Sequence, residues 1–257
     1  WQQSFNFRSL YQPLFLSTFS SMIFSKKNLR KNSILTIILT AFTFGTIHTT
    51  NAEELKLPSK EFKAPLSITS ANTLGTNEDG IGLTKGQPFE AFALKTHTGK
   101  SISSEELLNE APLLIIFYRG GWCPFCNVQI RQLTEAYPEF KKRNVTPVLI
   151  SVDETDGASL AQRTYDIPFP VLSDPDLLAH NAFKVIMNID DETAEQYKKF
   201  GIDLESWSQR DHHSIAVSSA FLVDKNGILL WAHTSKDYKT RPSPTQLLNI
   251  IDETLSQ

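Results

Sequence analysis

The stretch LLIIFYRGGWCPFC, residues 113–126, carries the clearest structural pattern of this chain. It begins with an uninterrupted apolar run, Leu113–Tyr118, which predicts a strand buried on both faces in an α/β sheet. The run leads through Gly120-Gly121 to Cys123 and Cys126, the only two cysteines among the 257 residues. A thiol at the start of a helix meets unpaired backbone N–H groups, which favour its anion and make it a nucleophile. The sequence therefore predicts that the chemistry of this protein lies in this stretch.

The segments around the cysteines alternate between strand and helix patterns. Apolar residues from Ile130 to Phe140 recur at helical spacing, and Val145–Val152 indicates a second buried strand, so this region predicts a parallel strand-helix-strand crossover. Further elements are expected as a short strand with Phe89, Phe92 and Leu94, helices opening at Ser103, Asp156, Asp174 and Ser243, a strand at Phe169–Leu172, and a hairpin of Ala220–Val223 with Ile228–His233. This order predicts an α/β sandwich.

Residues 22–52 have the order of a secretory signal peptide. A basic stretch, Lys26–Lys31, precedes the uncharged apolar run Ile34–Ile47, and small residues end at Ala52. The alternative is a membrane anchor, but a span needs about 20 apolar residues and this run is shorter. We predict cleavage after Ala52, non-native upstream sequence at 1–21, and a periplasmic or secreted protein without stable membrane insertion.

The mature chain is predicted to hold one domain. Residues 53–85 form an extended lead-in, residues 86–257 form the domain, and Met187–His213 forms a polar, acid-rich insertion. Residues 1–52 contain basic but no acidic side chains, so their removal changes the formal net charge from −3 to −8. An acidic protein of this kind is a poor match for nucleic acid, because phosphate binding depends on Lys and Arg.

The Cys-x-x-Cys spacing admits four interpretations. A redox pair is favoured because this spacing beside a strand-helix-strand pattern is typical of thioredoxin-like sites. A structural disulfide would stabilise little, because the gain grows with the length of the closed loop. A zinc half-site would need two more ligands, and the sequence has neither a second Cys-x-x-Cys nor a spaced His pair. Two inert buried cysteines would not need the preceding Gly-Gly-Trp. No cofactor or metal is predicted.

The domain resembles the thioredoxin superfamily, and within it the peroxiredoxin-like proteins of the alkyl hydroperoxide reductase/thiol-specific antioxidant (AhpC/TSA) family. The resemblance covers roughly residues 86–255. It is carried by Gly86-Gln87-Pro88-Phe89, Phe117–Cys126, Phe169–Pro175, Phe221–Asp224 with Asn226-Gly227, and Asp237-Tyr238 with Arg241. The resemblance implies a central mixed sheet flanked by helices.

The chain departs from both relatives at the site. Peroxiredoxins carry Pro-x-x-x-Thr-x-x-Cys, and alignment on Cys126 puts Arg119 at the Pro and Cys123 at the Thr. Thioredoxins have a proline before the penultimate strand, where this chain has Val217–Ala220. The resemblance to peroxiredoxins implies that Cys126 is the attacking thiol. The resemblance to thioredoxins implies instead that Cys123, the first cysteine of the pair, is the exposed thiol of low pKa. Both remain open, and Trp122 is expected to leave one sulfur partly exposed.

Four other side chains are candidates with simpler alternatives. Arg119 and Arg241 are predicted to stabilise a thiolate or a peroxide oxygen through charged hydrogen bonds. The alternatives are a surface salt bridge for Arg119 and a solvated loop side chain for Arg241. His212-His213 would serve as a metal ligand or acid–base pair, or would simply be exposed. Trp231 is expected in the core.

The cysteine pair and the family resemblance together imply three alternative functions. The first is a thiol peroxidase that reduces hydrogen peroxide or an organic hydroperoxide, with a thioredoxin-like or other dithiol as reductant. The second is an exported thiol–disulfide oxidoreductase that reduces protein disulfides. The third is a copper chaperone resembling the Sco type, with His213 as a further ligand, although those proteins have three residues between their cysteines.

Overall fold

The computed structural model of the protein describes residues 55–57 and 66–256. The predicted upstream sequence, signal peptide and cleavage point in residues 1–52 lie outside these described residues, as does part of the lead-in. Among the described helices, none has the length and apolar character needed to cross a membrane.

The described chain alternates strands and helices along most of its length. Its strands are β1 (Ser67–Ile68), β2 (Ala93–Thr96), β3 (Ser101–Ser103), β4 (Leu113–Phe117), β5 (Thr146–Ser151), β6 (Val171–Ser173), β7 (Ile186–Asn188), β8 (Ser214–Ala216), β9 (Ser218–Val223), β10 (Leu229–Ser235) and β11 (Thr240–Arg241). Its helices are α1 (Ser104–Glu110), α2 (Pro124–Lys142), α3 (Thr155–Tyr165), α4 (Leu178–Phe183), α5 (Asp191–Lys199), α6 (Leu204–Ser208) and α7 (Pro244–Leu255), with a 3-10 turn at Glu78–Gly80.

A seven-stranded mixed sheet forms the centre of the domain, in the order β10-β9-β4-β5-β6-β2-β3. β4, β5 and β6 are parallel, since α2 and α3 carry the chain back across the sheet between them. β9 runs antiparallel to β4 and β10, and β2 runs antiparallel to β6 and β3. The predicted α/β fold with a central mixed sheet is confirmed, together with the crossover unit and the hairpin.

β4 is a fully buried strand that leads directly into the loop of residues 118–123 before α2. All five of its residues are buried. Leu114 and Ile116 pack in the apolar cluster that contains both cysteines, whereas Ile115 and Phe117 pack in the cluster on the other face. Each such side chain contributes about 1.5–3 kcal/mol when removed from water. Burial on both faces explains the uninterrupted apolar run of this strand.

The helix predicted to open at Asp174 begins later than expected. α4 starts at Leu178, and the residue before it, Leu177, has φ 61°. The Asp174 carboxylate accepts hydrogen bonds from the backbone N–H groups of Leu178 and His180, and it lies 2.6 Å from Nδ1 of His180. Asp174 therefore still satisfies the start of the helix, but across a turn rather than as its first flanking residue.

The first predicted strand is displaced as well. Phe89 and Phe92 lie before β2, and only Leu94 belongs to it. The ring of Phe89 stacks on Phe183 at 4.9 Å between centroids, and Phe92 meets the same ring edge-on at 6.4 Å. These aromatic residues repeat because their rings pack against α4, not because they alternate along a strand.

The lead-in pairs with the domain where the structure describes it. β1 runs parallel to β11, and Asn77 forms a bridge with Thr234. Gln246, in the first turn of α7, donates a hydrogen bond to the carbonyl of Thr69 at 2.7 Å. This pairing places the lead-in beside the strand that ends in Arg241.

The predicted insertion folds as two short helices that connect a pair of short antiparallel strands. β7 pairs antiparallel with β8, and α5 and α6 lie between them. Trp207 of α6 is buried in the cluster that holds the cysteines, and Tyr197 of α5 packs against that cluster. The segment is therefore one wall of the cysteine site.

Candidate active site

The cysteine pair lies where β4 passes into α2. Cys123 is the residue that flanks α2 at its N-terminus, Pro124 is the first helical residue, and Cys126 lies in the first turn. The two thiols are free, with their sulfurs 2.6 Å apart. Cys123 is 1% exposed and Cys126 is 0% exposed. The expectation that Trp122 leaves one sulfur partly exposed is wrong, because Trp122 is buried with both cysteines in one apolar cluster.

The surroundings of Cys126 favour its thiolate. Burial raises the pKa of this thiol, but a hydrogen bond with Cys123, the charge of Arg241, and the backbone N–H and charge of Arg119 together lower the pKa to about 5. Nη2 of Arg241 donates to Sγ of Cys126 at 3.2 Å. A positive charge this close to a buried sulfur acts with little screening by water. Cys126 is therefore the anionic member of the pair at neutral pH.

Cys123 has the opposite character. Burial, followed by its interactions with Cys126, raises the pKa of this thiol. The backbone N–H of Cys126 donates to its sulfur at 3.4 Å, and the pKa is raised despite this hydrogen bond. The alternative taken from thioredoxins, that Cys123 is the exposed thiol of low pKa, is therefore wrong. Cys123 instead serves as the proton-bearing partner of Cys126.

Arg241 is held in place from three sides. Its Nη1 donates to Oε1 of Gln129 at 3.0 Å, its Nε donates to the carbonyl of Tyr238 at 3.0 Å, and its Nη2 reaches Cys126. The side chain is 3% exposed, so the alternative of a solvated loop arginine is wrong. Fixed donors of this kind need no rearrangement to stabilise a negative charge.

Arg119 sits among aromatic rings. Its guanidinium lies 4.4 Å from the ring centre of Tyr238, 5.1 Å from that of Trp122 and 5.8 Å from that of Tyr197. Its Nη2 donates to the hydroxyl of Tyr197 at 2.6 Å. In the described part of the chain no carboxylate pairs with it, so the surface salt bridge is wrong. Cation–π contacts replace the missing counter-ion.

The two glycines before the cysteines make room for the loop. Gly120 has φ +147°, and a Cβ there would collide with the indole nitrogen of Trp122. A Cβ on Gly121 would lie 2.9 Å from the Trp207 ring. The Gly121 carbonyl accepts from Nδ2 of Asn127 at 2.7 Å, which ties the loop to α2.

Asp153 anchors the same loop and was missed by the sequence analysis. It lies just beyond β5, 0% exposed, and its Oδ2 accepts from the backbone N–H of Gly121 at 2.7 Å. Its Oδ1 is buried without a hydrogen-bond partner, as are the hydroxyl of Tyr118 and the indole nitrogen of Trp122. Its position directly after the predicted buried strand Val145–Val152 was the sequence feature that could have identified Asp153 as a candidate.

Replacing Asp153 with asparagine is expected to stabilise the fold at neutral pH. Burial raises the pKa of Asp153 to about 7, from 3.8, and the charge of Cys126 adds to the rise. At this carboxyl group the folded chain then binds more protons than the unfolded chain between these values. The contribution of Asp153 to the free energy of unfolding is therefore largest below pH 4 and falls by about 4 kcal/mol as the pH rises to 7.

Urea unfolding from pH 4 to pH 8 measures this effect. The asparagine side chain does not titrate. The free energy of unfolding of the variant, relative to that of the parent, should therefore rise by about 4 kcal/mol between pH 4 and pH 7. Asp156→Asn, at an exposed position of α3, is the control and should follow the parent. A constant difference between parent and Asp153→Asn at every pH would contradict the prediction.

The remaining candidates lie away from the sulfurs. Nε2 of His213 lies 2.7 Å from Glu205 and its Nδ1 3.3 Å from Asp191, whereas Nε2 of His212 lies 2.9 Å from the carbonyl of Pro175. Among the described residues, no group of three or more His, Cys, Asp or Glu could hold a metal ion. Trp231 is half-buried at the edge of the core rather than inside it.

The sequence model described as "AhpC/TSA family" matches residues 85–232, more than half of the chain. The chain belongs to the AhpC/TSA family. Its cysteine site, with Cys126 at the end of the first turn of α2, lies inside the matched region. The family assignment agrees with the resemblance that the motifs carried.

Individual relatives point to two kinds of thiol protein. The chain is 31% identical to chloroplastic peroxiredoxin Q of Populus jackii over 109 residues, 42% of this chain and 50% of that protein. It is 25% identical to the thiol-disulfide oxidoreductase ResA of Bacillus thuringiensis over 153 residues, 59% of this chain and 69% of that protein. Against the peroxiredoxin Q proteins of Populus jackii and Sedum lineare, the chain spans 50% and 59% of the relative's length.

Solved structures share the fold. The peroxidoxin BcpB of Mycobacterium tuberculosis aligns with a TM-score of 0.52 at 18% identity, over 66% of this chain and 96% of that one. A mutant of peroxiredoxin 6 from Arenicola marina aligns with a TM-score of 0.56 at 14% identity, over 68% of this chain and 76% of that one. These likenesses establish the thioredoxin-type fold of the AhpC/TSA domain.

Proposed function

We propose that this AhpC/TSA protein is a thiol peroxidase that reduces hydrogen peroxide or an organic hydroperoxide. One observation carries the proposal: Nη2 of Arg241 lies 3.2 Å from the sulfur of Cys126, and the sulfur of Cys123 lies 2.6 Å from it. A thiolate stabilised by a fixed cation is a nucleophile at neutral pH. A second thiol in contact with it can close a disulfide without movement of α2.

The first step is attack on the peroxide. The Cys126 thiolate donates two electrons to one peroxide oxygen, so that an S–O bond forms as the O–O bond breaks. The leaving hydroxide or alkoxide takes a proton from water and departs as water or alcohol. Arg119 and Arg241 place positive charge beside the developing anions.

The second step forms a disulfide bond between Cys123 and Cys126. The sulfur of Cys123 attacks the sulfenic sulfur of Cys126, and the departing hydroxyl leaves as water with the proton of the Cys123 thiol. An external dithiol, for which we propose a thioredoxin-like protein, then restores both thiols through two exchange reactions. The substitution of a cysteine for the peroxiredoxin threonine thus supplies the resolving thiol within one helical turn.

The second candidate is a thiol–disulfide oxidoreductase acting on protein disulfides. Similarity to ResA favours it, as does the place of Cys123 at the start of α2. The burial of both sulfurs does not separate the two candidates, because the protein dithiol that reduces a peroxidase must reach a sulfur just as a protein disulfide must. The copper chaperone has no support from geometry, since His213 pairs with Glu205 and Asp191.

Domain limits and location form part of the proposal. The basic, apolar and small-residue order of residues 22–52 supports export to the periplasm or the exterior, with cleavage after Ala52. The AhpC/TSA domain then covers residues 86–257 behind a lead-in at 53–85. In such a compartment, the pair needs a dedicated reductant to keep cycling.

Two assays on the parent protein separate the candidates. We expect rapid consumption of hydrogen peroxide when thioredoxin, thioredoxin reductase and NADPH supply electrons, and little reduction of insulin disulfides. The double variant Cys123→Ser/Cys126→Ser gives the background of both assays. Insulin reduction well above that background, with peroxide consumption at background, would replace the peroxidase by the disulfide reductase.

A further inference from the structure

Arg241 is carried by a strand that lies apart from the central sheet. β11 pairs with β1 in a separate two-stranded parallel sheet. The turn before β11 is held by local hydrogen bonds, in which the hydroxyl and the backbone N–H of Thr240 donate to the side chain and the carbonyl of Asp237. These bonds fix the shape of the turn. They do not fix its position on the domain.

The lead-in supplies bonds that do fix this position. The backbone N–H of Thr69, the residue after β1, donates to the carbonyl of Arg241 at 3.1 Å. The backbone N–H of Ser67 donates to the carbonyl of Lys239 at 3.0 Å. Nε2 of Gln246 donates to the carbonyl of Thr69 at 2.7 Å, and Thr69 is itself buried. Thr69 therefore links the backbone of Arg241 to α7.

Small displacements of Arg241 change its effect on the sulfur. Its Nη2 lies 3.2 Å from Sγ of Cys126, and Cys126 is carried by a different element, α2. In a buried site the attraction between opposite charges is screened little and falls with their separation. Functional groups in such sites have to be held within about 0.5 Å of their working positions. A shift of the β11 backbone is therefore expected to weaken the stabilisation of the thiolate.

We propose that Thr69 is a positioning residue of the cysteine site: through its backbone bond to β11 it holds the guanidinium of Arg241 on the sulfur of Cys126. Ser67 contributes in the same way through its own N–H. The inference rests on the proposed function only in that Cys126 is the attacking thiol there. The family match at residues 85–232 covers neither β1 nor β11. In this chain the lead-in is therefore part of the active site rather than a spacer before the domain.

Three proline variants test the pairing, because proline has no backbone N–H. The N–H groups of Ser67 and Thr69 point at β11, so that of Ile68 between them points away. Thr69→Pro should raise the pKa of the first thiol to ionise by about one pH unit, because a hydrogen bond from a charged donor is weakened. Ser67→Pro should raise this pKa by less. Ile68→Pro is the matched control at an exposed position and should titrate as the parent does, near pH 5.

The ultraviolet absorbance of the thiolate follows each titration, and circular dichroism shows which variants are folded. Ser67 is exposed, so Ser67→Pro keeps the test available if Thr69→Pro does not fold. An unchanged titration in every folded variant would overturn the proposal, and so would an equal shift with Ile68→Pro. The titration uses no peroxide. A peroxidase without this coupling, or the coupling without peroxidase activity, is therefore recognised as such.

Discussion

Replacing Cys126 with serine is expected to abolish peroxide consumption, whereas Cys123→Ser keeps the first turnover and stops there. The difference follows from the charges at the pair. Cys126 is the thiolate beside Arg241, and Cys123 holds the proton. A serine hydroxyl at position 126 is not ionised near neutral pH and cannot attack the O–O bond.

Single-turnover experiments distinguish the two serine variants. With Cys123→Ser, one equivalent of peroxide should disappear, and the sulfenic acid on Cys126 should persist and be trapped by dimedone. With Cys126→Ser, neither the loss of peroxide nor the adduct should be seen. The reverse pattern, with the dimedone adduct on Cys123, would exchange the roles of the two thiols. Thermal unfolding of both variants controls for folding.

Replacing Arg241 with glutamine is expected to slow the reaction with hydrogen peroxide by about tenfold or more at pH 7, because a hydrogen bond to a charged group contributes about 1.5–3 kcal/mol. The parent thiol, with a pKa of about 5, is almost fully ionised at that pH. Without the guanidinium, the pKa of Cys126 rises and the thiolate fraction at pH 7 falls, although the hydrogen bond with Cys123 and the contacts of Arg119 remain. The loss of a donor to the developing anion adds to the effect.

The pH profile identifies the cause. The parent rate should be flat above neutrality and fall as the pH drops through about 5, the pKa of Cys126. The glutamine variant should gain tenfold per pH unit up to its new pKa, because only its ionised fraction reacts. Arg143→Gln, which loses an exposed ion pair with Asp252, is the control and should keep the parent profile. A variant slowed equally at every pH would mean that Arg241 acts only after the thiolate has formed.

Local patterns predicted the scaffold well. The apolar run of β4, the capping box at Ser103 and the turn between β9 and β10 depend on neighbours in sequence, and each was found where the sequence placed it. The errors arose where a tertiary contact competes with a local preference. Phe89 packs its ring on Phe183 instead of extending a strand, and Asp174 reaches across a turn to His180.

The site was only half predictable. The spacing of Cys123 and Cys126 predicted a redox pair, the closeness of Arg119 to them in sequence predicted a stabilising charge, and the family resemblance pointed to Arg241. Asp153 gave a weak signal, since acids after strands are common and only its complete burial makes it unusual. Tyr197 gave none, because nothing in the polar segment Met187–His213 shows that this ring will lie against Arg119 and Trp122.

The sequence by itself determined that a strand delivers two thiols to the start of a helix, because strand burial and helix capping are decided within a few residues. Only the tertiary structure decided which thiol is the anion. Arg241 lies 115 residues from Cys126 in the chain and reaches it because β11 comes to rest beside α2. Charge at a buried sulfur depends on the distance to every other charge and on the exclusion of water, and both are properties of the folded chain.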